Sequence, residues 1–270
     1  MTGPARAMLV TGAGTGIGAA VAARAASEGW RVTICGRRAG LLGEVATRTG
    51  ARSVVADVTD AAAVEALVAG AVADSGRLDC VVANAGVMRS GSVLDLDVAD
   101  WDLTMRTNLT SVFLLARAAL PHLMASGGSL VAVASIAALR APGSAAAYAV
   151  SKAGLVMLTQ TIARDFGAAG VRANVVCPGW VRTEMADEEM TEFGTPLGLD
   201  REMAYREVTR LVPQARPAEA AEVAAAITWL AGPDASYVNG ACLVVDGGTV
   251  LVDPGTVGLD FSLAARTSLD

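Results

Sequence analysis

Residues 11–18 read TGAGTGIG and stand between a short apolar run, residues 7–10, and a segment with helical spacing, residues 17–27. Glycines in this position let a strand turn tightly into a helix. They also let the backbone approach a pyrophosphate, which then binds N–H groups at the helix N-terminus. Because glycines also serve close helix–strand packing, the turn alone is weak evidence. Its place directly after the first strand favours nucleotide binding.

The same alternation of apolar runs and helical patterns continues along the chain beyond this turn. Further apolar runs occur at residues 31–35, 53–56, 78–83, 130–134, 174–177 and 241–245, and helix candidates at 61–73, 98–124 and 218–230. Several runs are almost continuously apolar, as strands covered on both faces are. Repeated strand–helix–strand units predict an α/β fold with a doubly wound, Rossmann-like parallel sheet.

The domain organisation follows from the segments that interrupt this alternation of strands and helices. No linker or low-complexity tract occurs, so residues 1–248 are predicted to form one domain. Residues 182–212 are polar and too long for an ordinary connection, which indicates a functional loop or lid. Residues 249–270 extend past the last strand as a C-terminal tail, either frayed or packed on a neighbouring subunit.

Composition excludes several classes of protein. Of 270 residues, 53% are hydrophobic and 18% charged, unlike a disordered chain, and the net charge of −6 argues against nucleic acid as a partner. Four widely spaced cysteines and a single histidine argue against a disulfide scaffold and predict no metal site. No uninterrupted apolar stretch approaches the length of a membrane span, so no membrane association and a cytoplasmic location are expected.

A second constellation consists of Ser135, Tyr148 and Lys152. Residues four apart share one face of a helix, so Tyr148 and Lys152 would project together. Ser135 follows an apolar run, at the sheet edge where parallel sheets bind ligands. A nearby ammonium favours the phenolate form of a tyrosine and lowers its pKa. The pair alone is not specific, because a surface tyrosine and lysine often have this spacing.

Taken together, these pieces resemble the compact single-domain branch of the short-chain dehydrogenase/reductase family over residues 5–248. The resembling motifs are TGAGTGIG at 11–18, ANAG at 83–86, TNLTSVF at 107–113, Ser135, YAVSK at 148–152, CPGWVRT at 177–183 and DGG at 246–248. Ala83 is a departure, since the family usually has a second asparagine there, but the neighbouring Asn84 is kept.

The resemblance implies roles for individual residues. Tyr148 would be the general acid/base, Lys152 would hold the ribose hydroxyls of the nicotinamide half and lower the tyrosine pKa, and Ser135 would hydrogen-bond the substrate oxygen. Asn108 would anchor a water that links Lys152 to solvent. The implied cofactor-binding set is Gly12, Thr15, Gly16, Ile17, Gly18, Arg37, Arg38, Asp57, Val58, Asn84, Ala85, Gly86, Tyr148, Lys152, Pro178, Gly179, Val181 and Thr183.

The choice between NADP and NAD depends on the end of the second predicted strand. An NAD site usually has an acidic residue about 20 positions beyond the glycines, but this chain has Gly36 followed by Arg37 and Arg38. A guanidinium suits a 2′-phosphate through bidentate hydrogen bonding. The arginines could instead simply begin a solvent-facing helix, and Thr15 stands where many NADP-dependent relatives have a basic residue. The sequence favours NADP, with NAD possible.

The predicted function is hydride transfer between a nicotinamide cofactor and a small-molecule carbonyl or secondary alcohol, as in a ketoreductase. The alternative is a non-catalytic NAD(P)-binding, redox-sensing regulator, against which the intact set of four catalytic residues argues. Met88, Ile136, Leu139, Trp180 and the lid would shape the substrate pocket. The resemblance and the apolar helix candidate at 98–124 together predict a homo-oligomer, a tetramer by preference.

Overall fold

Seven parallel strands form the central sheet of the computed structural model, which describes residues 5–259. The strands in chain order are β1 (Ala7–Thr11), β2 (Arg31–Gly36), β3 (Arg52–Val55), β4 (Cys80–Ala83), β5 (Ser129–Val133), β6 (Arg172–Pro178), β7 (Val181–Arg182), β8 (Ala218–Glu219) and β9 (Cys242–Val245). The sheet order is β3-β2-β1-β4-β5-β6-β9, and β7 pairs with β8. Each predicted apolar run forms one sheet strand, so the Rossmann-like fold is confirmed.

Helices cover both faces of this sheet. They are α1 (Gly16–Ser27), α2 (Ala39–Thr49), α3 (Ala61–Ser75), α4 (Val98–Met105), α5 (Ser111–Ser126), α6 (Ala146–Phe166), α7 (Glu184–Gly194), α8 (Arg201–Thr209) and α9 (Ala220–Ala231). One core layer joins the sheet to α1, α2 and α9, and the other joins it to α3, α5 and α6. The strands β1, β4 and β5 are buried along their whole length, which explains why they read as continuous apolar runs.

Two predicted helices differ from the structure in their bounds. The candidate at 98–124 forms α4 and α5, joined by a π-helical turn at Arg106–Thr110 that contains Asn108. Such turns are often found at functional sites. The candidate at 218–230 begins two residues later, because Ala218–Glu219 pairs with β7 before α9 starts.

The predicted lid, residues 182–212, contains two helices, α7 and α8, where a loop was the expectation. Thr183 caps α7 by accepting a hydrogen bond from Ala186 N at 3.2 Å, and Asp200 caps α8 by accepting one from Met203 N at 2.8 Å. Ala186 and Met190 pack with Ala204 and Tyr205 in a small core separate from the main one. The helices are short and mostly polar, so few apolar side chains mark them in the sequence.

The helical run Val98–Ser126 has the length and the mean hydropathy, 1.3, that a bilayer span needs. It contains no uninterrupted apolar stretch of that length. Its inner side packs against α3 and the sheet. It also buries the polar side chains of Thr104, Thr107, Asn108 and Ser111. Burial on one side with polar groups in the π-helical turn is typical of a core helix in an α/β protein.

The chain beyond β9 begins with a turn built on Asp246. The Asp246 carboxylate accepts hydrogen bonds from Gly248 N and Val250 N, both at 2.8 Å. Two short 3-10 turns follow, at Thr249–Leu251 and Val257–Leu259. The rest of the predicted tail, residues 260–270, lies outside the described residues, as do residues 1–4 of the predicted domain.

Candidate active site

The glycine-rich turn between β1 and α1 lies directly against the end of β4. Asn84 Nδ2 donates to the carbonyls of Thr11 and Gly12, each at 3.0 Å. Gly12 has φ +64°, and a Cβ there would lie 2.7 Å from Ala85 Cα. A Cβ on Gly18 would lie 2.5 Å from the Gly12 carbonyl oxygen. Side chains are therefore excluded at Gly12 and Gly18, which keeps the backbone of the turn close to β4 and leaves the cradle that a pyrophosphate requires.

A cavity of about 830 Å³ begins at this turn and follows the carboxyl ends of the strands to α6. A continuous cleft of this kind fits a dinucleotide with its nicotinamide end beside α6. Gly18 lies beneath the turn and Asn108 is fully buried, and neither borders the cavity. The other predicted residues line it: Gly12, Thr15, Gly16, Ile17, Arg37, Arg38, Asp57, Val58, Asn84, Ala85, Gly86, Ser135, Tyr148, Lys152, Pro178, Gly179, Val181 and Thr183.

The structure brings Ser135, Tyr148 and Lys152 together at one end of the cavity. Tyr148 and Lys152 project from one face of α6, with Lys152 Nζ 5.6 Å from the centroid of the tyrosine ring. Ser135 follows β5, where its hydroxyl accepts a hydrogen bond from Ala137 N at 3.1 Å and hydrogen-bonds with Tyr148. A hydroxyl and a phenol therefore converge on one point, as proton transfer to a carbonyl oxygen requires.

Lys152 and Asn108 lie behind this pair. Lys152 Nζ donates to the Val133 carbonyl at 2.8 Å, and burial lowers the pKa of Lys152 to about 8. Asn108 Nδ2 donates to the Val87 carbonyl at 2.9 Å and to Ser151 Oγ at 3.1 Å. The Asn108 side chain thus ties α6 to the loop after β4, and its role in holding a water stays a prediction.

The pKa of Tyr148 is raised by burial to about 12. The negative charge of Glu189 and the nearby Cys177 act in the same direction, while the hydrogen bond with Ser135 opposes them. Lys152 Nζ is directed at the Val133 carbonyl, and the lowering of the tyrosine pKa by Lys152 stays a prediction. At neutral pH Tyr148 therefore carries its proton, the form that can donate to a carbonyl oxygen.

The two arginines at the end of β2 have different surroundings. Arg38 forms a bidentate ion pair with Glu184 of α7, at 2.7 and 2.5 Å, and its Nη2 also donates to Thr15 Oγ1 at 3.3 Å. Arg37 is exposed, and no hydrogen bond or ion pair engages it within residues 5–259. Its charge helps to lower the pKa of Asp57, after the larger effect of the hydrogen bond from Thr59 N. Arg37 is thus available at the adenosine end of the cavity.

Sequence reasoning missed the carboxylates that α7 brings to the cavity. Glu184, Glu188 and Glu189 line it, together with Met185. The only sequence signal for them is their spacing at helical intervals, and it has no meaning until residues 184–194 are recognised as a helix. Leu139, predicted to shape the substrate pocket, is exposed and does not line the cavity, whereas Met88, Ile136 and Trp180 do.

Comparison with known proteins gives one family and several relatives that cover nearly the whole chain. A family model described as enoyl-(acyl carrier protein) reductase matches residues 12–250. Protein MoaE of Klebsiella aerogenes is 41% identical over 246 residues, covering 90% of this chain and 95% of that protein. The 2-(R)-hydroxypropyl-CoM dehydrogenase of Xanthobacter autotrophicus is 38% identical over 252 residues, covering 90% of this chain and 97% of that protein.

A solved structure with the same fold is that of a single-residue variant of actinorhodin polyketide ketoreductase with NADPH. It superposes with a TM-score of 0.87 at 33% sequence identity. The match covers 92% of this chain and 98% of the ketoreductase chain. The ketoreductase thus shares the fold of this chain over nearly its whole length.

Replacing Gly18 by alanine tests the close contact between the glycine-rich turn and β4. The new Cβ would lie 2.5 Å from Gly12 O and 2.6 Å from Asn84 Nδ2, so the turn must shift. We expect the free energy of unfolding to fall by about 1–3 kcal/mol, as in other overpacked sites, and dinucleotide affinity to fall with it. Urea unfolding and a fluorescence titration measure the two effects.

Gly14→Ala is the matched control for stability. Its Cβ would lie 3.4 Å from Leu41 Cβ, an ordinary contact. We expect the Gly14→Ala protein to unfold at the same urea concentration as the parent. If Gly18→Ala were equally stable, the contact described above would not constrain the turn.

Proposed function

The chain belongs to the short-chain dehydrogenase/reductase family of nicotinamide-dependent oxidoreductases, and we propose that it is an NADP-dependent ketoreductase or alcohol dehydrogenase with Tyr148 as general acid/base. The observation that carries the proposal is the convergence of Ser135, Tyr148 and Lys152 on the cavity that begins at the glycine-rich turn. The alternative of a non-catalytic regulator has no support in the comparisons, where the named relatives include a dehydrogenase and a ketoreductase.

In this mechanism each side chain has one task at the reacting oxygen. Ser135 donates a hydrogen bond to the carbonyl oxygen, and Tyr148 Oη transfers its proton to that oxygen as negative charge develops. In the oxidation direction the phenolate of Tyr148 accepts the alcohol proton. When bound, the nicotinamide supplies or accepts the hydride. Lys152 would hold the adjoining ribose hydroxyls, with Pro178, Gly179 and Thr183 bordering the ring.

Tyr148→Phe tests this assignment. The ring still packs on α6, but the transferable proton is lost, and general acid/base catalysis contributes a factor of about 10² to 10⁴. We expect kcat to fall by that factor while cofactor affinity stays nearly unchanged. Steady-state kinetics and a cofactor titration measure both quantities.

Tyr237→Phe serves as the control, since Tyr237 is fully exposed and remote from the cavity. That variant should retain the kcat of the parent. Parental turnover by Tyr148→Phe with a good substrate would refute the proposed role of Tyr148.

The proposed preference for NADP is supported by the surroundings of Arg37 and Arg38. Gly36 ends β2 without a carboxylate that would repel a phosphate, and Arg37 beside it is exposed and unpaired within the described part of the chain. Arg38 is held by Glu184 and Thr15. We therefore assign the 2′-phosphate contact mainly to Arg37.

Arg37→Ala tests the cofactor preference. A charge-assisted hydrogen bond contributes roughly 1.5–3 kcal/mol, which corresponds to a preference of about ten- to a hundredfold. We expect kcat/KM for NADPH to fall by that factor and kcat/KM for NADH to stay unchanged. Arg31→Ala, an exposed arginine at the start of β2, should leave both values unaltered. A parent protein that prefers NADH, or an Arg37→Ala protein with an unaltered ratio, would contradict the assignment.

The proposed location and partners follow from the thiols and the charge. Cys35, Cys80 and Cys177 are buried and free, and Cys177 Sγ lies 3.3 Å from Cys242 Sγ without a disulfide. Free thiols support a reducing, cytoplasmic location. The net charge of −6 supports a small-molecule substrate as partner over nucleic acid.

We also propose a homotetramer, supported by apolar side chains on the outer side of α5 and α6. Phe113 on α5 is 48% exposed, and on α6 Val150 is 48% and Met157 63% exposed. Both helices pack on the same side of the sheet. Apolar side chains grouped on one face are typical of a surface that another subunit covers.

Light scattering tests the oligomeric state. We expect a mass four times the 27.3 kDa of one chain at micromolar concentration, and a smaller mass for Met157→Asp, because a charge on a buried interface is unfavourable. Leu94→Asp, at an exposed leucine outside these helices, should leave the mass unchanged. A monomeric parent protein would end the proposal.

A further inference from the structure

Of the three carboxylates that α7 brings to the cavity, those of Glu184 and Glu188 act on Arg38, whereas that of Glu189 acts on Tyr148. Glu189 lines the same cavity as Ser135 and Tyr148, and its charge acts on Tyr148. Residues four apart lie on one helix face, so Met185 and Glu189 face the cavity together. Glu189 therefore lies where the part of a substrate beyond the reacting carbon would lie.

The helix that carries this carboxylate is held at several points. Thr183 caps its first turn, and Glu184 forms the bidentate ion pair with Arg38. On the side facing α8, Asp187 Oδ1 accepts a hydrogen bond from Tyr205 Oη at 2.9 Å. Met190, next to Glu189, is buried in the small core. The backbone that carries Glu189 is thus held in place before a substrate binds.

Glu189 has no partner within residues 5–259: no hydrogen bond or ion pair engages its carboxylate. It is only partly exposed, and burial raises its pKa. The two arginines near this end of the cavity have other partners, since Arg140 donates to the Val250 carbonyl at 2.9 Å and Arg89 pairs with Asp100 at 3.3 Å. A partly buried carboxylate without a partner is unfavourable, and a ligand that donates a hydrogen bond to it offsets that cost.

We infer that Glu189 determines substrate specificity by accepting a hydrogen bond from a second hydroxyl or ammonium group of the substrate. The inference rests on the proposed function, because the reacting oxygen must lie between Ser135 and Tyr148. Met88, Ile136 and Trp180 provide apolar walls for the carbon skeleton between the two polar ends. The substrate class is then diols, hydroxyketones and amino alcohols. Substrates with a carboxylate or phosphate at this end are disfavoured by charge repulsion.

The test is a set of oxidation kinetics with cyclohexanol, the cyclohexanediol isomers, aminocyclohexanol and hydroxycyclohexanecarboxylate. Two variants separate charge from hydrogen-bonding capacity: Glu189→Leu removes both, and Glu189→Gln keeps a carbonyl acceptor of the same shape. Glu65→Gln, at an exposed carboxylate of α3 that does not line the cavity, is the control. Thermal unfolding of each variant checks that α7 is intact.

We expect the parent enzyme to favour a diol isomer and aminocyclohexanol over cyclohexanol. Glu189→Leu should lose about tenfold or more in kcat/KM for both, mainly through KM, which corresponds to about 1.4 kcal/mol or more. Glu189→Gln should keep most of the diol activity, lose that with aminocyclohexanol, and gain with the carboxylate. Each kcat/KM is compared with that for cyclohexanol in the same protein, so that an effect of the Glu189 charge on Tyr148 cancels from the ratio. Glu65→Gln should match the parent throughout.

Failure of the Glu189 role and failure of the proposed function give different results. If the parent oxidises cyclohexanol but Glu189→Leu leaves the ratios between substrates unchanged, the role of Glu189 is wrong and the proposed function stands. The same conclusion follows if Glu65→Gln changes the ratios as much as Glu189→Gln does. If the parent oxidises none of these compounds with NADP or NAD, the proposed function itself is overturned, and the role of Glu189 falls with it.

Discussion

The contact between the glycine-rich turn and the end of β4 is the constraint on which the rest of the site depends. Thr11 and Asn84 hold the two strand ends together through side-chain hydrogen bonds, in a space that admits no Cβ at Gly12 or Gly18. From β1 the chain adds β2 and β3 on one side of the sheet and β4 on the other. The crevice therefore lies between β1 and β4, at the carboxyl ends of the strands. The floor of the cavity, the start of α1 and the loop that carries Gly86 are all set by this one contact.

The fold could be predicted from the sequence because its central strands, β1, β4 and β5, are buried on both faces. A run such as Cys80–Ala83 is apolar throughout, and no tertiary information is needed to recognise it. The lid could not be predicted in the same way. The helices α7 and α8 are short and polar, and they are held by contacts such as Tyr205 with Asp187, 18 residues apart. The start of α9 was shifted by pairing with β7, which local sequence does not encode.

In the candidate site, too, relationships within one element could be predicted from the sequence and contacts between distant residues could not. Tyr148 and Lys152 could be placed side by side from the sequence because both lie on one helix. Ser135 could be placed at the same edge of the sheet because it follows a strand. Arg37 and Arg38 could not be separated, because Glu184, the residue that engages Arg38, lies 146 positions away in the chain. The pKa of Tyr148 also depends on burial and on Glu189, and both are consequences of tertiary packing.

The strand order has a consequence for how the chain is made. Starting from β1, the strands β2 and β3 are added toward one edge, and β4, β5, β6 and β9 are then added in turn toward the other. No strand has to be inserted between two that already pair. A chain emerging from the ribosome can therefore extend its sheet stepwise, with each new strand finding its neighbour in place. The turn that holds the nucleotide is complete once β4 has emerged, long before the helices that surround the substrate are synthesised.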